Sequence, residues 1–514
     1  MSHVSDRVLG TPVLVAGGGP AGLAAACELT LHGVACTVIE PRVAISHRRP
    51  RAKTTSIRTM EHLRRWGIAS RLREAAPLPV AWSQRVTFCE SLSGRRITDF
   101  DGAFGLTTRR DAQFAEVGQQ VPQPVVEEVL RAHLTGKPGV DLRFGHTVTT
   151  LEQDTDGVMV AIHDENDAEY LIRARWVLGC DGANGVVRDQ IGASYVGRSD
   201  PRPNFNVVFR APALDTPLGP AVQYWVVGGE TSGLCGRLDL AGTWWAILPD
   251  VDPAYGDAHA FDLITGLIGA PVDHEVLATD PWTARMLVAD TFSSGRVFLV
   301  GEAAHVNPPW GGHGFNTSVG DAVNIAWKVG AVEHGWASPG LLASYEPERR
   351  AVVEQTVASA ESHARALAGD LPPDETIIQR AKRAEFHSLG LVLGYTYSGS
   401  PAIQPVSSPP TIADTTRYTP TAEPGARLPH TWLPDDSSLY DGLGTGFALL
   451  GPGQARSLAA RAGQRGIPLT MLEAPAGYPW RDEFLLVRPD QHIAWRTSDP
   501  DSIDLDRVTG HGAR

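Results

Sequence analysis

The chain has little cysteine. Five cysteines occur in 514 residues, an odd number without a C-x-x-C pair, so the sequence argues against a disulfide framework and against a zinc site. The chain also lacks an apolar run of 18 or more residues, the length that a membrane-spanning helix requires. Its apolar N-terminal stretch is interrupted by three consecutive glycines, which is not typical of a signal peptide. We therefore expect a cytoplasmic protein with no metal ion and no membrane partner.

Basic residues are also in the minority. Lysine and arginine total 45 against 58 aspartates and glutamates, which gives a formal net charge of −13. A protein that binds nucleic acid needs a clustered basic surface, and the one dense basic run is short, at residues 47–51. We expect no nucleic-acid partner, and we interpret that run as a solvated loop or as a contact to a cofactor phosphate. The length and the 42% hydrophobic content are sufficient for about three domains with real cores.

A glycine motif near the N-terminus predicts a dinucleotide site. A short apolar strand at residues 13–16 leads into Gly-Gly-Gly-Pro-Ala-Gly, at the G-x-G-x-x-G spacing, and a helix is predicted over residues 23–31. The next strand ends in Glu40, 18 residues after Gly22, close to the spacing of a carboxylate that binds a ribose hydroxyl. The residues predicted to hold the dinucleotide are Gly17, Gly19, Pro20, Ala21, Gly22 and Glu40.

A second glycine-rich segment runs from residue 295 to residue 328. It begins with a short strand at 297–300, places Glu302 after the strand end and continues through Pro308 and Pro309. Three glycines then remove side chains where a ligand must approach the backbone, and apolar periodicity predicts a following helix. The N-terminus of that helix offers unpaired N–H groups and a positive dipole end to an electron-rich ligand.

A third segment lies between the other two. A strand at residues 176–180 ends in Asp181 and Gly182. An acid followed by glycine at the end of a strand puts a carboxylate beside a backbone that a ligand can approach. Taken alone, an Asp-Gly pair is usually a turn.

Three such segments in this order resemble the flavin-dependent aromatic hydroxylases, the single-component group A monooxygenases related to para-hydroxybenzoate hydroxylase and phenol hydroxylase. GGGPAG matches the ADP-binding loop of that family, CDGANGVVR its DG motif, and GRVFLVGEAAHVNPP its GD motif. The resemblance covers about residues 10–365. One position departs from it, because Glu302 stands where the family has aspartate.

The resemblance implies an α/β fold in which a Rossmann-like FAD-binding domain carries an inserted antiparallel substrate sheet, a helical region and a C-terminal thioredoxin-like domain without CxxC. We expect the FAD-binding domain at residues 1–190 and 285–395, the substrate sheet at 191–284, a linker at 396–424 and the thioredoxin-like domain at 425–514. The last cysteine is Cys235, so the C-terminal domain cannot carry out dithiol chemistry. Its expected role is structural, or it forms a homodimer.

The family chemistry implies FAD as cofactor, with NADH or NADPH as a transient co-substrate. Reduced flavin would react with O2 to a C4a-hydroperoxide that hydroxylates a phenolic or other electron-rich aromatic substrate, including polyketide-derived rings. The residues that the resemblance places at the flavin are Arg51, Gln123, Asp181, Glu302, Gly314, Phe315 and Asn316. The helix-start N–H groups of Gly314 and Phe315 would stabilise negative charge on the reduced ring, and Pro308 and Pro309 would form a donor-free wall beside the reacting oxygen.

The substrate contacts are predicted from alternating runs between residues 195 and 290, which indicate antiparallel strands. Tyr224, Trp225, Trp282 and Pro309 are the candidates, with Trp244 and Trp245 as further aromatic positions. His313 lies in the glycine loop, where it is an acid or base near the flavin or an exposed loop residue. Other activities stay open at this point: a flavin-binding dehydrogenase or carrier of the same fold, or a Baeyer–Villiger or epoxidase variant.

Overall fold

The computed structural model of the chain describes residues 8–48, 53–407, 412 and 414–512. Arg51 lies outside the described residues. The strands, numbered in chain order, are β1 (Leu9–Ala16), β2 (Cys36–Glu40), β3 (Thr54–Thr55), β4 (Val86–Cys89), β5 (Arg96–Phe100), β6 (Gln119–Gln120), β7 (Val140–Phe144), β8 (Thr147–Gln153), β9 (Val158–His163), β10 (Glu169–Gly179), β11 (Tyr195–Arg210), β12 (Gln223–Val226), β13 (Gly233–Arg237), β14 (Thr243–Pro249), β15 (Glu275–Ala289), β16 (Ser293–Ser294), β17 (Val297–Leu299), β18 (His305–Val306), β19 (Phe447–Gly451), β20 (Leu469–Glu473), β21 (Phe484–Val487) and β22 (Ile493–Thr497).

The helices surround these strands and fill the region after β18. They are α1 (Pro20–Leu31), α2 (Ile57–Arg65), α3 (Ala69–Ala75), α4 (Gln123–Leu134), α5 (Val187–Gln190), α6 (Pro253–Ile268), α7 (Gly314–Glu333), α8 (Tyr345–Ala364), α9 (Glu375–Phe386), α10 (Leu389–Leu393), α11 (Arg456–Gln464) and α12 (Leu505–Val508). In the part of the chain that the structure describes, no helix combines the length and apolar character needed to cross a membrane.

The first sheet brings the three sequence motifs to one edge. Its order is β16-β17-β10-β1-β2-β7, and β1 runs parallel to β2 and β10 while β10 runs parallel to β17. Residues 13–16 are fully buried, as expected for a parallel strand that is covered on both faces. Helices α1, α4 and α7 pack together on this sheet. Because parallel strands end at the same edge, the loops after β1, β10 and β17 become neighbours despite their separation in sequence.

The second sheet has the order β18-β15-β11-β14-β13-β12-β4-β5 and is mostly antiparallel. One face is covered by α6 and forms a separate apolar core with Phe205, Trp244 and Leu248. We call the opposite side the front face. It packs against residues of the glycine loop and α9 and includes Trp225, Trp245, Ile247 and Trp282. The predicted antiparallel substrate sheet is thus present beside the flavin motifs.

Two expectations about boundaries require correction. Strands β4 and β5 belong to the second sheet, although they lie well before residue 191, because β4 pairs with β12 in parallel. The stretch expected to be a linker is packed where the structure describes it, since Tyr397 and Ile403 are buried and Gln404 N–H donates to Ala494 O at 2.9 Å. Proline and serine content alone did not reveal that these residues contact the C-terminal domain.

The C-terminal domain is built on a four-stranded sheet with the order β20-β19-β21-β22. β19 and β20 are parallel and joined through α11, while β21 and β22 form an antiparallel hairpin. This confirms the predicted thioredoxin-like arrangement. Its core continues into the rest of the protein, because Phe447 packs edge-on against Trp327 of α7 and against Trp336.

Candidate functional site

The loop after β1 needs glycine because the chain approaches its neighbours closely there. Gly17 has φ 103°, and a Cβ on it would lie 2.3 Å from the carbonyl oxygen of Cys180. A Cβ on Gly22 would lie 1.9 Å from Gly17 O, and one on Gly18 would lie 2.8 Å from Glu40 Cβ. The result is a backbone surface without side chains at the edge of the sheet.

Helix α1 starts directly from this loop. Gly19 is its N-cap and supplies no side-chain hydrogen bond, and Pro20 opens the first turn. The first N–H groups of a helix have no partner within the helix and mark the positive end of its dipole. A pyrophosphate fits this position, where the glycines leave room and the helix offers donors.

Glu40 holds the end of β2 against the glycine loop. Its carboxylate is buried and accepts the Gly18 N–H at 2.8 Å, and it also accepts the backbone N–H and Nε–H of Arg42 at 2.9 and 2.7 Å. The carboxylate is therefore fixed in one orientation where the adenosine half of FAD would lie. Its ribose contact stays a prediction.

Asp181 follows β10 and has one unsatisfied oxygen. Its Oδ2 accepts the Val187 N–H at 2.9 Å, whereas its buried Oδ1 has no hydrogen-bond partner among the described residues. Burial raises the pKa of Asp181. Gly185 leaves room for this carboxyl group, since a Cβ at that position would lie 2.0 Å from its carboxyl carbon. Because buried polar atoms are normally paired, the free Oδ1 fits a site that binds a polar group of FAD.

Glu302 lies in a short 3-10 turn, Gly301–Ala303, immediately after β17, and its side chain is exposed. Asp321 of α7 fixes the turn, since it accepts the Gly301 N–H at 3.2 Å and pairs with His305 Nε2 at 2.7 Å. The hydroxyl of Tyr195 donates to the carbonyl oxygen of Glu302. The turn is therefore held by hydrogen bonds on both sides, and Glu302 lies at the edge of the sheet.

Asn316 fastens the glycine loop to the segment that precedes α2. Its Oδ1 accepts the Ser56 N–H and the Thr59 hydroxyl, both at 2.8 Å, and its Nδ2 donates to Thr54 O at 3.0 Å and Gly312 O at 2.7 Å. All the hydrogen-bonding capacity of the side chain is thus used within the protein. If Asn316 contacts the flavin as predicted, its backbone N–H is the group available.

The loop itself runs through two left-handed glycines, Gly311 at φ 80° and Gly312 at φ 70°. α7 starts at Gly314, and the first hydrogen bond of the helix region is from Thr317 N–H to His313 O at 2.8 Å. The N–H groups of residues 314–316 consequently point out of the helix start, as the prediction for Gly314 and Phe315 requires.

The proline and histidine positions differ in exposure. Pro308 is buried and Pro309 is exposed, so only part of the predicted proline wall faces the interior. His313 is buried, not an exposed loop residue, and its Nε2 has no partner among the described residues. Burial lowers the pKa of His313 to about 4, which keeps the ring neutral at physiological pH.

Two of the aromatic predictions are corrected by the register of β12. Tyr224 faces the α6 side, opposite to the front face, and its hydroxyl donates to Gly219 O at 2.6 Å. Trp225 is on the front face but is fully buried, because Phe88 stacks on it at 5.3 Å and Phe386 and Lys382 of α9 cover it. Neither ring is available to a ligand near the glycine loop.

Trp282 is on the front face, half-buried, 6.1 Å from the ring of Trp310. Its indole N–H donates to Asn206 Oδ1 at 2.7 Å. Trp310 comes directly after the two prolines and was not predicted; its buried indole N–H has no partner in the described structure. Trp245 is half-buried on the same face, and its N–H is also unpaired there.

Lys53 also lies on this side, at a position that no sequence motif indicates. It precedes β3, and its Nζ crosses to the front face, where it lies 2.9 Å from Val222 O and 4.3 Å from the centre of the Trp245 ring. No local sequence pattern distinguishes Lys53 from a surface lysine.

Gln123 starts α4, and its side-chain amide donates to Glu127 Oε1 at 2.9 Å. This hydrogen bond neither supports nor opposes the predicted contact of Gln123 with the flavin.

The arrangement fits FAD. The glycine loop and α1 match the pyrophosphate, the free Oδ1 of Asp181 matches a polar group of the cofactor, and the start of α7 matches the pyrimidine edge of the flavin ring. Comparison with known proteins agrees: the family described as FAD binding domain matches residues 10–360, and the family described as aromatic-ring hydroxylase, C-terminal, matches residues 421–511.

Relatives match along nearly the whole chain. The 2,4-dichlorophenol 6-monooxygenase of Delftia acidovorans is 31% identical, with 95% of each chain covered. A putative polyketide hydroxylase of Streptomyces halstedii is 30% identical, covering 97% of this chain and 95% of its own. Among solved structures, the rebeccamycin biosynthetic enzyme RebC with reduced flavin is 30% identical at a TM-score of 0.87, covering 98% of this chain and 100% of its own. The chain therefore belongs to the FAD-binding aromatic-ring hydroxylase family and is an FAD-dependent monooxygenase.

Proposed function

We propose that the enzyme hydroxylates a multi-ring aromatic compound that carries a phenolic hydroxyl and further oxygen substituents, with O2 as oxygen donor and NADH or NADPH as hydride donor. The observation that carries the proposal is the front face. It presents the half-buried indoles of Trp245 and Trp282 next to buried Trp310 of the glycine loop, and the N–H groups of Trp245 and Trp310 have no acceptor among the described residues. Indole rings stack on flat aromatic molecules, and their N–H groups bind oxygen acceptors.

The length of the front face favours several rings over one. Trp245 pairs with Val208 of β11, and Trp282 pairs with Asn204 of the same strand. These positions are four residues apart, which corresponds to roughly 13 Å along a strand. A single benzene ring spans less than half of that distance, so one phenol would contact only one end of the face. The name of the Streptomyces halstedii relative, a putative polyketide hydroxylase, agrees with this proposal.

The protein's own contribution is positioning and exclusion of water. When bound, FAD supplies the redox chemistry and oxygen transfer. The start of α7 presents N–H groups to negative charge at the flavin ring, and the buried side chains of Pro308 and Trp310 help to exclude water between loop and sheet. The half-buried indoles would orient the substrate ring against this loop.

A substrate panel tests the proposal. NAD(P)H oxidation by the FAD-loaded enzyme would be compared for single-ring phenols and for two-, three- and four-ring phenols, with product mass recorded. We expect the multi-ring phenols to accelerate oxidation at least about tenfold more than the single-ring compounds and to gain one oxygen atom. Stimulation by single-ring phenols alone would reject the multi-ring substrate, and NAD(P)H consumption without an oxygenated product from any phenol would reject a phenolic substrate altogether.

A further inference from the structure

Lys53 is half-buried and, unlike the buried lysines Lys328 and Lys382, pairs with no carboxylate of the described residues. Lys328 pairs with Glu348 and Lys382 pairs with Glu385, each at 2.7 Å. Within the described residues, the one acceptor in hydrogen-bond contact with Lys53 Nζ is a carbonyl oxygen, Val222 O. An ammonium has three N–H donors, so a protonated Lys53 would leave donors unsatisfied in an enclosed position.

The position of Lys53 links the flavin loop to the substrate side. Its carbonyl oxygen accepts the Val121 N–H at 2.7 Å, and the next residue, Thr54, is bonded through its carbonyl to Asn316 at the start of α7. The backbone is thus anchored beside the glycine loop, and the side chain reaches Trp245 on the front face.

Two nitrogen atoms converge beside Gly236 of β13. A Cβ on this glycine would lie 2.7 Å from Val222 O, 2.9 Å from Lys53 Nζ and 3.1 Å from Trp245 Nε1. The two nitrogens therefore lie no more than about 6 Å apart, a separation that one substrate oxygen between them can bridge with two hydrogen bonds. The absence of a side chain at Gly236 keeps the two groups clear of steric contact.

We propose that Lys53 is the general base that ionises the phenolic hydroxyl of the substrate, and that its ammonium and the Trp245 indole N–H then hold the resulting phenolate oxygen. This inference rests on the proposed function, since it requires a phenolic substrate. In the step, the phenol O–H bond breaks, an N–H bond forms on Nζ, and no electron is transferred to or from either partner. The phenolate ring is richer in electrons than the phenol and is therefore a better acceptor of an electrophilic oxygen atom.

The electrostatics of the position favour the neutral amine over the ammonium before substrate binds. Burial lowers the pKa of Lys53 well below its usual range, and the thiol of Cys235, the titratable group that opposes this effect, offsets it only in part. Among the described residues, the other groups that contact Nζ or its acceptor are uncharged: the Val222 carbonyl, the Trp245 ring and the Gln120 amide, which donates to the same carbonyl at 3.4 Å. A neutral amine can accept a proton from a phenol, and the phenolate beside it then stabilises the resulting ammonium.

Proton counting on substrate binding tests the inference on the FAD-loaded enzyme. The probe is the phenol from the panel that gives the most oxygenated product, titrated at pH 7 in a dye-reported weak buffer while its ultraviolet spectrum is recorded. We expect the bound substrate to show a phenolate spectrum with no net proton released, because the proton stays on Lys53. Release of one proton per substrate would mean that the lysine was already charged, and would overturn its role as the base.

Variants complete the test. Lys53→Met should bind the phenol in its neutral form and lower the hydroxylation rate at least about 100-fold, the usual size of a general-base contribution. Lys53→Arg keeps a positive charge that cannot accept a proton, so binding should then release one proton. Lys137→Met, at an exposed lysine, is the matched control.

The alternative outcomes are distinct. A phenolate spectrum retained in Lys53→Met would overturn the inference while leaving the proposed function intact, because oxygenated product from wild-type enzyme has already been established for that phenol. Loss of FAD from Lys53→Met on gel filtration would assign the lysine to the cofactor and also overturn it. Failure of every phenol in the panel is a failure of the proposed function, and the inference falls with it.

Discussion

Arg488 and Glu348 form a fully buried bidentate ion pair, with Nη1 to Oε1 at 2.7 Å and Nη2 to Oε2 at 2.8 Å. Arg488 follows β21 in the C-terminal domain, whereas Glu348 belongs to α8. The same carboxylate accepts Lys328 Nζ at 2.7 Å, and Arg488 also pairs with Asp490 at 2.6 Å. The thioredoxin-like domain is therefore joined to the FAD-binding domain by charges that have no access to water.

Removing Arg488 should destabilise the protein strongly. Arg488→Met leaves two carboxylates buried with Lys328 as the remaining close cation, and breaking a buried pair in this way typically costs about 3–5 kcal/mol. Denaturant unfolding, followed by tryptophan fluorescence, measures the change. Arg465→Met is the control. The side chains of Arg465 and Asp506 are 42% and 55% exposed, so their ion pair should contribute less than about 1 kcal/mol to the free energy of unfolding. Equal effects of the two variants would contradict the assigned importance of the buried pair.

Acid should weaken the same junction. Burial raises the pKa of Glu348, but Arg488 and Lys328 together outweigh it and lower the pKa to about 2. A carboxyl whose pKa is lower in the folded state stabilises that state above its unfolded pKa of about 4.3 and loses the contribution as pH falls towards 2. By linkage, the difference between the unfolded and folded pKa of Glu348 corresponds to a loss of about 3 kcal/mol in the free energy of unfolding. We expect the free energy of unfolding to fall over this window and Glu348→Gln to reduce the slope; an unchanged slope would contradict the ionised state.

Glu302 should contribute to FAD retention. Its turn is fixed by Asp321, and the resemblance of the sequence motif implies a shorter aspartate at this position. We expect Glu302→Ala to lose FAD on gel filtration at a rate well above wild type, and Glu302→Asp to retain it, because the acceptor charge is kept. Glu333→Ala, at an acid of the C-terminal end of α7, is the comparison. FAD retention by Glu302→Ala equal to wild type would remove this residue from the cofactor site.

The cofactor half of the site could be predicted because its signals are local. Gly17 and Gly22 are required by the chain's own close contacts, and the strand, loop and helix around them are contiguous in sequence. Asp181 comes directly after a buried parallel strand, and α7 comes directly after the glycine loop. Both could therefore also be predicted from the local sequence. Parallel pairing then brings the separate motifs to one edge of the sheet.

The substrate half could not be predicted in the same way. Which face of a strand a side chain occupies depends on what packs on each face, and α6 covers the face that contains Tyr224. Trp225 is closed off by α9, which lies 150 residues later in the chain. Lys53 is singled out because it has no carboxylate partner among the described residues, a property of the folded environment that no local spacing encodes.

The neighbouring tryptophans of β14 test the assignment of the front face. Trp245→Phe keeps an aromatic ring but removes the N–H proposed to bind a substrate oxygen, so we expect KM for the panel's best phenol to rise roughly 3- to 10-fold, the equivalent of one hydrogen bond of about 0.5–1.5 kcal/mol. Trp244 is adjacent in sequence but faces α6, where it stacks on Phe209 at 6.1 Å. Trp244→Phe should therefore lower stability and leave KM unchanged. Because both variants make the same chemical change one residue apart, steady-state kinetics and thermal unfolding of the pair separate a substrate contact from a packing defect. A rise in KM in Trp244→Phe that matches the rise in Trp245→Phe would show that the substrate does not distinguish the two faces of this sheet.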